Sequence, residues 1–529
     1  MEGYVDFHCR FTLDKVLELN RDTSAALATI REWINSFVPV NRVSMDVLSL
    51  IPTHLHSQKD RFRASFVCRY WRRTFLHHAG LWSYLCLSKG EVYVKTLLER
   101  AKGSLLTILV SGNDPAMTLL PPYTKQITSL EFANSDWADI RLFSGTNSGH
   151  LPLLRTLNIN LVRGINSDDL DVVIPPSRPL FSGAVGLKKF HLHLEGLPFL
   201  NHFVFPNLTS FELSMAPAEE FRGSQLLDFL EALPVLQVAH MKILTVLSLA
   251  GVPRKRVIVL RNVESLSLIT SDGEPGYKLA AHISCPSVKY TFLTHMGEEG
   301  FDDFIPLEAL PSSDALNAII RQYTRSPIEE VTLEITPDSD NFAAYSLTFR
   351  STDKTVIRLR FEVAEDDDDD DLEETLICDV FFKTSRAIRD LPLLANVKRL
   401  HMYGLLNIYG ESFAHIADEF EGLLKSMGPL EELTISGCEM QPFFLPFLDY
   451  SKIVEYPPIR VLTLADPWDR FYEGVAVGLV NLARAQHELG MPFERVTVRL
   501  NGPPRGIEEG LKPWVGVVDY APYDFSWAE

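Results

Sequence analysis

A short string, apolar-x-x-apolar-x-apolar, recurs along most of the chain and constrains its fold more than any other feature. It reads Leu105/Ile108/Val110, Ile127/Leu130/Phe132, Leu154/Leu157/Ile159, Leu187/Phe190/Leu192 and Leu208/Phe211/Leu213. It continues as Leu236/Ala239/Met241, Val263/Leu266/Leu268, Val288/Thr291/Leu293 and Ile328/Val331/Leu333. The last set is Val397/Leu400/Met402, Leu430/Leu433/Ile435, Ile459/Leu462/Leu464 and Phe493/Val496/Val498, and the weakest members are those with Ala239 and Thr291. Most starts lie about 21 to 34 residues apart, with longer gaps after 288 and 328, which is the spacing of stacked repeats. Alternation over so short a run puts one face of a strand in a core and the other in water. One such unit cannot bury its apolar side alone, whereas neighbours stacked side by side make a continuous core.

Between the strings, residues 225–233 and 411–427 carry helical periodicity, so each repeat predicts a strand followed by a helical or irregular return. A conventional doubly wound α/β domain competes with this reading, but it would not place one string at so many strand starts. The repeats resemble the divergent leucine-rich repeats that follow F-boxes in many fungal proteins. Two segments break the rhythm. Within 337–396, SLTFRS, TVIRLRFEV and TLICDVFF alternate like strands and predict an inserted hairpin or small sheet. The unbroken acidic run 365–371 predicts a solvated loop, because like charges repel. No glycine interrupts it, as a calcium-binding turn requires, which leaves contact with a basic partner as its sharper use. Residues 502–529, rich in proline and aromatics, are expected to fold back and cap the end of the repeat array.

Upstream of the repeats, residues 22–37 predict a packing helix capped near Asp22 or Thr23, with Leu27, Ile30, Ile34 and Phe37 as its apolar stripe. Residues 40–85 then form three short segments. Val47, Leu48, Ile51 and Leu55 share one helical face, Val67, Trp71 and Phe75 share a second, and Leu81, Trp82 and Leu85 begin a third. About 45 residues is near the lower limit for a self-sufficient core, so this unit must lean on a neighbour or a partner. In order and spacing, Val43, Asp46, Val47, Leu48, Ile51, Leu55, Asp60, Ala64, Val67, Cys68, Trp71, Arg72, Leu81 and Trp82 resemble an F-box. Most F-boxes enter their first helix through Leu-Pro; here Val43-Ser44 stands there, and Ser44 is suited to cap a helix with its hydroxyl. Pro52 is expected to end or kink that helix.

The resemblance implies an α/β fold in which an N-terminal helical F-box is followed by an irregular leucine-rich-repeat solenoid, a horseshoe. The organisation expected is a helical extension over 1–38, the F-box over 39–86, repeats over 87–500 with the insertion at 337–396, and a cap over 501–529. The implied function is substrate recognition in a Skp–cullin–F-box ubiquitin ligase, without catalysis by this chain. The Skp adaptor, which joins the cullin core, would meet Val43, Val47, Leu48, Ile51, Leu55, Phe62, Val67 and Trp71. Some of these must pack internally instead. The alternatives are a scaffold of the same fold acting outside a ligase, a helical core that merely packs on itself, and an enzyme whose site is assembled from dispersed loops.

In each string the residues flanking the inward positions point away from the core and offer a face for a target protein. Asn158, Asn160, His191, His193, Glu212, Glu334, His401, Tyr403 and Arg499 are the positions expected to contact it. Their chemistry is mixed, with few basic residues for a phosphate pocket. His191 and His193 point the same way on one strand, yet no third metal ligand is evident, so no metal or other cofactor is expected. The formal charge of −19 argues against general nucleic-acid binding, which needs basic surface. Six scattered cysteines without Cys-x-x-Cys suit a reducing compartment, and the first residues carry charges where a secretory signal would be apolar. The apolar runs are shorter than the ~20 residues a bilayer requires. Nucleus or cytoplasm is the expected location. Neither a phosphate-binding loop, nor His-Glu-x-x-His, nor Gly-x-Ser-x-Gly is present.

Overall fold

Where the string predicts strands, the structure, a computed structural model, buries the inward positions and leaves the alternate ones partly open: the five residues Leu106–Val110 run buried, intermediate, buried, intermediate, buried. Described are residues 2–51, 58–112, 114–146, 151–161, 180–181, 183–194, 200–215, 221–244, 246–271, 273–296, 313–339, 342–364, 381–382, 384–404, 412–437, 443–448, 453–466, 473–500 and 507–521. The chain packs as two units, residues 1–158 with 183–186, and residues 159–182 with 187–529.

The first unit opens with helix α1 (Glu2–Ser36), followed by α2 (Met45–Leu48), α3 (Gln58–Ser65) and α4 (Arg69–His77). Helix α1 does not begin near residue 22. Thr23 lies inside it and turns its hydroxyl back to the Leu19 carbonyl at 2.7 Å, since good helix formers such as Leu17, Glu18 and Leu19 precede it. The third expected segment is not a helix beyond one turn. Leu81 and Trp82 close a 3₁₀ turn (Ala79–Trp82), and Leu85 sits in strand β1 (Tyr84–Cys86). Helix α5 (Glu91–Ala101) covers that turn with Val94, Leu97, Leu98 and Ala101, all buried. It ends through Lys102 and Gly103 in left-handed conformation, φ 44° and 83°. Strands β2 (Leu106–Val110) and β3 (Ile127–Ser135) extend β1 in parallel, with Leu85, Ile108 and Leu130 in register. Leu105, the expected first apolar position of its string, is exposed, and Leu106 takes the buried place. Helix α6 (Trp137–Thr146) follows, then β4 (Thr156–Leu161), of which residues 159–161 are assigned to the second unit.

The second unit is a long, mostly parallel sheet. Its strands are β5 (Lys189–Leu194), β6 (Ser210–Met215), β7 (Val238–Ile243), β8 (Ser265–Thr270), β9 (Tyr290–Met296), β10 (Ile328–Ser339), β11 (Phe342–Ser351) and β12 (Val356–Ala364). Beyond these come β13 (Arg399–Gly404), β14 (Leu430–Ser436), β15 (Ile459–Asp466), β16 (Arg495–Leu500) and β17 (Val517–Ala521). One row of side chains crosses it in register: Phe190, Phe211, Ala239, Leu266, Thr291, Ile357, Phe349, Val331, Leu400, Leu433, Leu462, Val496 and Val518. Ala239 and Thr291, the weak members of the string, are buried. Next to Ala239 in this row, Phe211 packs on Phe229 with ring centroids 4.9 Å apart, so aromatic volume adjoins the small side chain.

Outside the insertion, neighbours in the sheet are neighbours in the chain. Right-handed crossovers that always step the same way put every return on one face. A doubly wound sheet reverses its order at a switch point, and this one does not. The returns include α7 (Gly223–Glu231), α8 (Gly273–Ala281), α9 (Ser313–Tyr323), α10 (Ser412–Lys425), α11 (Glu473–Glu488) and α12 (Ile507–Leu511). Pairing extends ahead of the strands: the Glu264 amide reaches Gln237 O and the Lys289 amide reaches Glu264 O, both at 2.8 Å. On this leading edge Lys398 meets Glu431 at 3.2 Å and Arg460 meets Glu494 at 2.7 Å.

The insertion is part of the main sheet and not a separate hairpin. Its strands lie in the order β9, β12, β11, β10, β13, with β11 antiparallel to both neighbours and the others parallel. Of the third segment expected there, TLICDVFF, residues 375–380 lie outside the described residues and Phe381 and Phe382 are helical. The acidic run 365–371, Pro52 and Leu55 also lie outside them. The described part of the C-terminal segment adds one more parallel strand, β17, beside β16. Among the described residues no helix is long and apolar enough to cross a membrane.

Candidate interaction surfaces

In the first unit, local chemistry fixes how the short helices meet. Ser44 Oγ accepts from the Val47 amide at 3.5 Å and caps α2, as its position suggested. Tyr70 donates its hydroxyl to Val43 O at 2.7 Å, tying α4 to the start of α2. Trp71 Nε1 donates to Asn41 Oδ1 at 2.7 Å, and Asn41 Nδ2 donates to Asn35 O at the same distance. On the inner side, Trp82 Nε1 donates to Phe75 O at 3.0 Å while the Arg100 guanidinium covers its ring. Burial, with a smaller contribution from Cys86, raises the Tyr93 hydroxyl above the usual tyrosine range next to this cluster.

These contacts sort the expected adaptor positions. Leu48 is fully buried where the one-turn helix α2 packs against α4, and so is one of the positions expected to pack internally. Phe62 is half-buried against Trp82 and Tyr93, with centroids 5.4 and 6.1 Å away. Trp71 is half-buried and packs edge-on against Phe75, while Val43 and Ile51 are also half-buried. Among the described adaptor positions only Val47, 53% exposed, and Val67 stand largely free. Leu50 on the turn after α2 and Phe66 before Val67 are exposed as well, and the sequence reading missed both. Leu50 follows Val47 by three residues, a helical spacing that marks it as the same face.

In the second unit the alternate strand positions form the sheet's open face. His191 Nδ1 lies 2.6 Å from Glu212 Oε2 across β5 and β6, and His240 occupies the next place in that row. His193 and Asn160 are half-buried on the same kind of position; Asn158 belongs to the first unit. Thr332, His401 and Thr434 lie in one cross-strand row, and Glu334, Tyr403 and Ser436 in the next. The rings of His401 and Tyr403 stack at 6.1 Å and 10°. Burial pushes the His401 imidazole below its ordinary range, against the opposing pull of Glu432 and Glu330. Burial, reinforced by Glu432, Glu330 and Glu334, pushes the Tyr403 hydroxyl up. Arg499 is half-buried beside Ala465.

This face carries more basic residues than the string predicted, because the inserted strands bring Arg350 and Arg358 beside Arg399 of β13. Arg358 binds Glu334 at 3.1 Å and Ser346 at 2.7 Å. Arg350 meets Glu330 at 3.1 Å, and Arg399 meets Glu329 at 2.6 Å and Glu330 at 3.2 Å. Each of these guanidinium groups is matched by a carboxylate, so the patch is a polar mosaic and not a phosphate pocket. A groove of 670 Å³ runs along the leading edge, past Lys398, Glu431, Arg460 and Met491. Among the described residues no three His, Cys, Asp or Glu side chains are placed to hold a metal.

Comparison with protein-family models finds no match for this chain, and comparison with curated proteins finds none either.

Proposed function

We propose that this chain is a substrate-recognition subunit of a Skp–cullin–F-box ubiquitin ligase, built as an F-box followed by a leucine-rich-repeat horseshoe. The observation that supports it most is the ordered residue pattern from Val43 to Trp82, carried by short helices α2 to α4 that leave Val47, Leu50, Phe66 and Val67 exposed. Four exposed large apolar side chains on a module of this size offer apolar surface that a partner could cover. The open sheet face, from His191 to Arg499, would hold the target. The chain does no covalent chemistry in this reading; it raises the effective concentration of target at the ubiquitin-charged enzyme. Its place of action is cytoplasm or nucleus.

Co-purification of the full chain with a Skp adaptor tests the reading. Capture by the wild type, lost in Val47→Asp and Val67→Asp variants that melt normally, is the expected result. No capture by the wild type, or capture indifferent to both substitutions, sinks it. A scaffold acting outside a ligase predicts the first of these failures while target binding through the sheet face persists.

A further inference from the structure

Helix α1 carries an apolar stripe that nothing in the proposed function uses. Val16, Leu19, Thr23, Ala26, Leu27, Ile30, Trp33, Ile34 and Phe37 recur at heptad-like spacing and fall within an arc of about 120° at 100° per residue. All nine are exposed, and the seven large apolar ones run from 50% at Leu27 to 69% at Leu19. The opposite side of the helix is the one turned toward the rest of its unit. Arg31 and Asn35 line a 420 Å³ cleft with Val67 and Tyr70, and Glu32 pairs with Arg69 at 3.3 Å. The stripe therefore faces outward, and it contains no charged side chain.

We infer that α1 pairs with α1 of a second copy of this chain, antiparallel, to make a homodimer. The heptad positions from Val16 to Trp33 are self-complementary about a point between Thr23 and Ala26. A two-fold axis there sets Val16 opposite Trp33, Leu19 opposite Ile30, and Thr23 opposite Ala26, which places two small side chains at the crossing and large ones outside it. A two-fold interface requires this property, since residue i meets j while j meets i. The parallel alternative stacks Trp33 on Trp33 and leaves a void at Ala26, costing packing on both counts. The seven large side chains offer roughly 100 Å² each, about 700 Å² per copy, close to the ~800 Å² that a stable specific interface takes from each partner. Antiparallel pairing also sets the helix dipoles head to tail. The surface used is distinct from Val47, Leu50, Phe66 and Val67, so the inference does not rest on adaptor binding.

Light scattering coupled to size exclusion, on the purified full chain at micromolar concentration, reads the mass directly. The expected mass is that of two 59.8 kDa chains, falling to one in the Leu19→Asp/Ile30→Asp variant. Ala26→Arg provides the second variant. Arginine is a good helix former, so it keeps α1 while blocking the crossing, and it too is expected to give monomers. Circular dichroism and melting of both variants should match the wild type. A monomeric wild type overturns the inference, as does a dimer that survives Ala26→Arg. If the stripe instead serves the Skp adaptor, the chain is monomeric alone and Ala26→Arg weakens capture.

Discussion

Trp71 and Asn41, 30 residues apart, share a 2.7 Å hydrogen bond that holds α4 against the turn leading into α2. Asn41 is a hub, since its amide also donates to Asn35 O and its oxygen receives the Cys68 thiol at 3.8 Å. Asn41→Leu leaves the Trp71 indole N–H without its partner, while the Asn35 carbonyl keeps the Val38 amide, at a cost of about 1–3 kcal/mol. Hydrogen exchange over residues 69–77 should accelerate, while exchange in strands β14 to β16 stays as in the wild type.

Val47 and Leu48 are adjacent yet opposite in fate, 53% and 0% exposed. Leu48→Ala should destabilise the first unit by about 3 kcal/mol through lost burial and a residual cavity. Val47→Ala should change it by less than about 0.5 kcal/mol, as exposed substitutions do. Thermal melting separates them; equal effects would show that α2 is not seated as described.

Thr291 is buried in the apolar row, and its hydroxyl makes no hydrogen bond among the described residues. Thr291→Val keeps the shape and removes the unsatisfied group, so a gain of about 1 kcal/mol is expected. A loss of stability in chemical denaturation would point to a partner for that hydroxyl.

Asp353 sits in the turn between β11 and β12, where it accepts from the Ser351 hydroxyl, and from the Thr355 amide and Ser326 hydroxyl at 3.1 Å each. The Ser351 bond first, and the others with it, hold its carboxyl down to about 2. A depressed carboxyl contributes stability above its ordinary range, and that contribution is lost as pH falls toward 2. Asp353→Asn should therefore lower the melting temperature at pH 7, with the difference from wild type shrinking between pH 4 and pH 2. Because Asp353 is exposed, the effect should be small, and a difference constant with pH would show that the turn bonds do not depend on ionisation.

Much of the sheet was legible because alternation reports burial directly. Even Ala239 and Thr291 fell where the string placed them, since position in the row, not side-chain size, decides what is covered. The inserted strands were seen as strands but not as members of the same sheet; strand alternation carries no information about which neighbour a strand will choose. Leu48 could not be told from Val47, because both lie on the apolar side of a one-turn helix and only packing against α4 separates them. The arginines of the open face were missed for the same reason as the sheet order. Helix α1 was underread because Asp22 and Thr23 suit a cap equally well as a helix interior.

The reversed order of β10, β11 and β12 sets a timetable for folding. From β5 to β9, and again from β13 to β17, each pairing joins consecutive repeats, as Leu266 joins Thr291. The insertion instead joins Thr291 to Ile357 and Val331 to Leu400, loops that are nearly three times longer. Loop-closure entropy of the form (3/2)RT ln n makes each such closure about 0.9 kcal/mol more costly. The two runs of repeats and the short-looped β10–β11–β12 meander should thus form independently, and be sutured last where β12 meets β9 and β10 meets β13. Pulse-labelled hydrogen exchange during refolding should protect residues 266–268 and 462–464 before the Val356 and Lys398 amides, which donate to Lys289 O and Glu329 O across the two seams, and simultaneous protection of all of them would refute this sequence of events.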